Sequence, residues 1–120
     1  MAVQNYRDLV VWQRAMDLAE AIYGISRGFP KEELYGLTNQ VRRAAVSVPS
    51  NIAEGQGRGS TREFVQFLHI ANGSRQELET QLILAQRLNY IREQELEPLL
   101  ALSEEVGRIR SGLLRSLLRR

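Results

Sequence analysis

Cysteine is absent from this sequence of 120 residues. That excludes a disulfide framework, a thiolate nucleophile and any cysteine-ligated metal. Histidine occurs once, at His69. A di-metal helical bundle of the usual kind needs two Glu-x-x-His motifs, so that class is excluded too. With His69 expected mid-helix, a Ser-His-Asp arrangement can be assembled only by assertion, and a structural histidine is the plainer reading. No catalytic residue, metal ligand or cofactor is assigned, and the expectation is a protein that is not an enzyme. Lysine is nearly absent as well: of the 16 basic residues only Lys31 is not arginine. Arginine suits planar, bidentate contact with carboxylates and phosphates, so the bias favours ionic interfaces or nucleic acid. No apolar run approaches the roughly 18–20 residues needed to span a bilayer. The opening "MAVQNYRDLVVW" lacks the basic start, long apolar stretch and small-residue cleavage site of a secretory signal. A cytoplasmic location without a membrane partner is the default expectation.

What is present is the composition of an ordinary globular protein, 43% hydrophobic and 25% charged. The length fits one domain over residues 1–120, large enough to bury a core. The net charge of +2 conceals segregation. Residues 36–62 carry Arg42, Arg43, Arg58 and Arg62 against Glu54 alone. Residues 63–105 carry three arginines against eight acids, and residues 106–120 five arginines and no acid. Two readings stay open: phosphate contact, or pairing of the arginines with the acidic segment inside one bundle or between subunits.

Apolar residues recur at three- and four-residue steps in four segments, and none shows a credible period of two. From Asp8, a plausible N-cap, to about Arg27 the face is Trp12, Ala15, Met16, Ala19, Ile22 and Tyr23. Gly28 stops that helix and Pro30 opens the next turn. A second helix runs from Lys31 or Gly36 to Glu54 on Leu37, Val41, Ala44, Ala45, Val48 and Ile52, kinked at Pro49. "STRE" at 60–63 is a capping box that starts a third helix. Its core face is Phe64, Phe67, Leu68, Ala71, Leu78, Leu82 and Ala85. A fourth helix begins around Gln94, with Pro98 near its first turns, and its seam includes Leu96, Leu99, Val106, Ile109, Leu113 and Leu117. Short connections make the economical fold all-α, an antiparallel up-down-up-down four-helix bundle. Ala44, Ala45, Ala53, Ala71, Gly73 and Ser74 would let helices two and three approach closely. The basic tail "RIRSGLLRSLLRR" also describes a membrane-surface helix, but its leucines continue the helix-four seam, so bundle packing or oligomer contact comes first.

"VSVPSNIAEGQGRGSTREF" at 46–64 holds three glycines two residues apart. A P-loop needs G-x-x-x-x-G-K-[ST] after a strand, and the dinucleotide fingerprint fails in spacing and context. The glycines are expected to end helix two and turn into helix three. A weaker reading keeps an anion site at the free amides of helix three, beside Arg58 and Arg62. On helix two, Gln40, Arg43, Ser47, Asn51 and Glu54 step by three and four residues and share one face. Such a stripe is either a solvated face, or a polar seam between subunits or a ligand-facing groove. Its short Ser and Asn side chains favour the second.

"YRDLVVWQRAMDLAEAIY", "FPKEELYGLTNQVRRAAVSVPSNIAEGQGR" and "EFVQFLHIANGSRQELETQL", in that order, resemble the bacterial four-helix bundle proteins. That family is also called the 23S rRNA intervening-sequence proteins, because some are encoded inside insertions in large-subunit rRNA genes. The resemblance covers about residues 6–91; "RRAAVSVPSNIAEG" is its specific block, and helix four agrees only in general character. It implies a bundle assembling as a homopentameric ring, without enzymatic activity and with suspected nucleic-acid contact. It further implies kinship with the accessory variability proteins of diversity-generating retroelements, basic pentamers that bind a reverse transcriptase and its RNA. Arg42, Arg43, Ser47, Asn51, Glu54 and Arg58 are the matching polar positions. The expected partners are further copies of the chain and structured RNA, touched by Arg42, Arg43, Arg58 and Arg62. The competing expectation is a scaffold that recruits a protein partner, its arginines joining subunits.

Overall fold

The computed structural model describes residues 5–119. Four α-helices account for most of them: α1 Val10–Ser26, α2 Leu37–Gly57, α3 Thr61–Arg87 and α4 Glu93–Leu118. Short 3-10 turns, Tyr6–Asp8 and Lys31–Glu33, precede α1 and α2. There is no strand among the described residues. The helices pack into a rod of 47 × 24 × 19 Å. α2 and α3 form the most extensive pair, while α1 meets α2 and α4, and α4 also meets α3. Leu18, Ile22, Val41, Val48, Ile52, Leu68, Leu78, Leu82 and Val106 are fully buried at the centre.

The helix starts show what local chemistry selects. Asp8 does not cap α1: it lies exposed in the 3-10 turn, and Leu9 is the N-cap without a side-chain bond. Asn5 takes the capping role one turn earlier, its Oδ1 accepting from the Arg7 amide at 2.9 Å. The buried face of α1 is also rotated from the expected one. Val11, Ala15, Leu18, Ala19 and Ile22 are buried, whereas Met16 and Tyr23 are exposed. Two adjacent stripes of α1 satisfy the same helical spacing, and the positions of α2 and α4 choose between them.

α2 runs through Pro49 without a break. The three glycines that follow do three different things. Gly55 is still helical and sits against α3, where a Cβ would lie 2.5 Å from Phe67 Cβ. Gly57 is the last helical residue, with nothing within 4 Å. Only Gly59 has positive φ, +84°, and it alone makes the turn that glycine favours. Ser60 then caps α3: its Oγ accepts from the Glu63 amide at 3.2 Å and donates to Glu63 Oε1 at 3.1 Å. The glutamate thus returns to the hydroxyl and not to the serine amide. Asn89, with φ 65°, closes α3 in a Schellman arrangement, Tyr90 N–H donating to Ala85 O and Asn89 N–H to Gln86 O. Ala44, Ala45 and Ala71 are buried as close packing requires, but Gly73 is exposed with open space around it.

Candidate functional site

The polar stripe of α2 divides into three parts. Ser47 and Asn51 are turned into the α2–α3 contact of a single chain. Ser47 Oγ lies 2.8 Å from Ser74 Oγ, and Asn51 Nδ2 donates to Ser47 O at 2.8 Å and to its Oγ at 2.9 Å. Gln40 and Arg43 are exposed beyond them and line, with Ser74 and Glu77, a cleft of about 340 Å³. Glu54, at the other end, is exposed and accepts from Arg58 Nη2 at 2.7 Å.

The four candidate arginines also differ. Arg42 Nε donates to Ser26 Oγ at 2.8 Å and its guanidinium lies 4.8 Å from the Tyr23 ring centre, so it ties α2 to α1. Arg58 is held by Glu54, by Glu63 at 3.9 Å and over the Phe67 ring at 5.0 Å. Two carboxylates offset its charge, although exposed pairs of this kind contribute only about 0–1 kcal/mol to stability. Arg43 and Arg62 are exposed and enter no ion pair among the described residues.

Two features went unread in the sequence. The first is a pair of adjoining hollows between α1 and α2. One, about 610 Å³, is lined by Leu34, Tyr35, Arg42 and Arg43; the other, about 590 Å³, by Trp12, Met16 and Pro49; Tyr23 and Val46 belong to both. Tyr35 is 92% exposed. Assigning Met16 and Tyr23 to the core concealed this groove. The second is a polar network between α3 and α4. Arg75 Nη1 donates to Glu79 Oε2 at 2.8 Å, Ser103 Oγ donates to the same oxygen at 2.6 Å, and Arg75 Nε and Nη2 both donate to Asn72 Oδ1. Gly107 leaves room for that guanidinium, since a Cβ there would meet Arg75 Cζ at 2.7 Å. The i,i+4 spacing of Arg75 and Glu79 was a readable signal; their partners on α4 were not. A bidentate pair closes the remaining side of the rod, Arg14 Nε and Nη2 reaching Glu105 Oε2 and Oε1 at 3.1 and 2.9 Å.

At one end of the rod Glu33 joins three elements. Its carboxylate accepts from the Leu37 amide at 2.9 Å, serving α2 where Gly36 has no side chain to do so, and from Tyr90 Oη at 2.8 Å. The Leu37 amide, then the Tyr90 hydroxyl, hold the Glu33 pKa below the usual carboxylate range, and the bond to Glu33 raises that of Tyr90. A lowered folded pKa means stabilisation present above the ordinary carboxylate value and lost as pH falls through the folded one. Glu105, held down by Arg14, and Glu95, held down by the Arg92 amide, carry the same sign. Glu33→Gln is therefore expected to flatten, without abolishing, the fall in urea midpoint between neutral pH and about pH 3. Parallel curves for the two proteins would contradict this assignment.

Among the described residues no group of three or more His, Asp or Glu side chains is placed to hold a metal ion, and His69 lies exposed on α3. No described helix is long and apolar enough to cross a membrane. Fold and surface thus define a small all-helical bundle whose exposed features are arginines and one apolar groove. The profile described as 23S rRNA-intervening sequence protein matches residues 7–112, and the chain belongs to that family. It is similar to a crystal structure of a protein of unknown function from the S23 ribosomal protein family of Bacteroides thetaiotaomicron. The two are 24% identical, with 88% of this chain and 98% of that chain covered and a TM-score of 0.81, a likeness of fold. No curated protein matches the sequence.

Proposed function

We propose that the chain is a non-enzymatic bundle that assembles with copies of itself, as a ring of five, and binds structured RNA through exposed arginine in the cytoplasm. The up-down-up-down course belongs to this reading. Ser47 opposite Ser74, Gly55 opposite Phe67 and the short connections support it. The observation that carries the RNA reading is the state of Arg43 and Arg62, both exposed and in no ion pair among the described residues. They stand near opposite ends of α2, roughly 20 Å apart at 1.5 Å per residue. A duplex offers a phosphate charge about every 1.7 Å of axis, a spacing dense enough to meet each of them. A ring would multiply such contacts into avidity. Arg42 and Arg58 join only where RNA displaces their present partners.

Labelled structured RNA is expected to bind the purified protein tightly at low salt and more weakly at physiological salt. Arg62→Glu should weaken binding and lower the salt slope by about one, leaving the sedimentation profile unchanged. No binding at low salt, or equal affinity of the variant, would sink the RNA reading. A second reading, a scaffold recruiting a protein such as a reverse transcriptase, is favoured by the α1–α2 groove, whose exposed Met16, Tyr23, Leu34, Tyr35 and Val46 form the kind of patch that marks protein contact. On that reading Arg43 joins subunits, and Arg43→Glu dissociates the assembly in sedimentation without any salt-graded RNA binding to lose.

A further inference from the structure

Arg110, on α4, carries a guanidinium that the described residues do not satisfy. Its Nε and Nη1 are buried and have no hydrogen-bond partner among them. Desolvation of a cation is tolerated when a counter-charge or acceptor replaces the lost water, and is expensive otherwise. Here the neighbouring charge is of the same sign: burial first, then Arg75, lower the Arg110 pKa. Arg75 cannot turn away, because Asn72, Glu79 and Ser103 fix it and Gly107 seats it. Both arginines face an open groove of about 580 Å³ between α3 and α4, which Arg108, Arg115, Ser111 and Glu104 also line. Glu104 is the one carboxylate on that wall, against four guanidinium groups.

We infer that this groove is a binding site for a phosphate-class oxyanion, with Arg110 as its central ligand and Arg75, Arg108 and Arg115 completing a cationic fork. Arg75 keeps Glu79 as its own counter-charge, which leaves Glu104 alone against Arg108, Arg110 and Arg115, whereas a phosphoryl group brings close to two negative charges and several acceptor oxygens. Guanidinium donors match those oxygens bidentately. The site lies on α3 and α4 and rests on observations independent of Arg43 and Arg62. The phosphate can come from a free phosphorylated compound or from a nucleic-acid backbone.

The test is a titration of the full chain with inorganic pyrophosphate in low-chloride buffer, following the Arg110 Nε–H resonance by NMR and the heat by calorimetry. A saturable shift of that resonance is expected, and Arg110→Gln should weaken pyrophosphate binding at least about tenfold, the loss of one charge-assisted hydrogen bond. Arg62→Glu should leave it unchanged, which separates this site from the RNA reading. Displacement of bound RNA by pyrophosphate identifies the backbone as the source, and additive binding identifies a free compound. No saturation at millimolar pyrophosphate, or equal binding by Arg110→Gln, overturns the assignment. So does dissociation of an assembly by Arg110→Gln with no phosphate effect, since the missing acceptor would then be a neighbouring subunit's.

Discussion

Replacing Gly55 by valine is expected to destabilise the protein by about 3 kcal/mol or more, read as a lowered urea midpoint. A Cβ at this position would sit 2.5 Å from Phe67 Cβ and 3.2 Å from Phe64 Cδ1. Phe67 Cβ is one bond from the backbone, so no rotamer change relieves the contact, and α2 and α3 must separate. These two helices form the most extensive pair in the rod, and the Ser47–Ser74 and Asn51 bonds cross the same seam. Gly57→Ala is the control. Nothing lies within 4 Å of that position, and the substitution should be neutral or stabilising by up to about 1 kcal/mol. Equal effects at the two sites would refute the close-packing role of Gly55.

Removing the carboxylate of Glu79 should cost about 3 kcal/mol of unfolding free energy, a large part of the roughly 5–15 kcal/mol available to a domain. Arg75 and Glu79 are 14% and 24% exposed in their side chains. Glu79→Ala strands the Arg75 guanidinium and takes from Ser103, itself fully buried, the acceptor of its hydroxyl. The double variant Arg75→Met/Glu79→Leu should recover much of the loss, because apolar groups of similar volume need no partner. A Glu79→Ala protein with wild-type stability would mean that solvent already carries the pair.

The helices themselves were legible by their periodicity, and α3 by its start as well. Ser60 and Glu63 marked α3 within a residue, and all six apolar positions expected of α2 are buried. The reading slipped where a choice depended on neighbours not local in sequence. Met16 and Tyr23 fit a helical stripe as well as Val11 and Leu18 do, and only the placement of α2 and α4 decides that the first pair faces water. The candidate surface was legible by residue type but not by state. Arg42, Arg43, Arg58 and Arg62 look alike on the chain; Ser26 and Glu54 occupy two of them, and the other two enter no ion pair among the described residues. Arg110 passed unnoticed because its isolation is set by burial and then by Arg75, both consequences of packing and not of local sequence.

Trp12 is the single tryptophan of the chain, half-buried in the α1–α2 groove with its ring edge-on to Tyr6 at 5.2 Å. Its emission therefore comes from one place on the molecule, the wall of the hollow that Met16, Pro49 and Ala53 also line. A protein partner or a second copy seated in the groove would shift that emission to the blue and shield it from quenchers. RNA held at Arg62, which lines neither hollow, would shift it less. The protein carries an optical label that tells its two surfaces apart without any chemical modification.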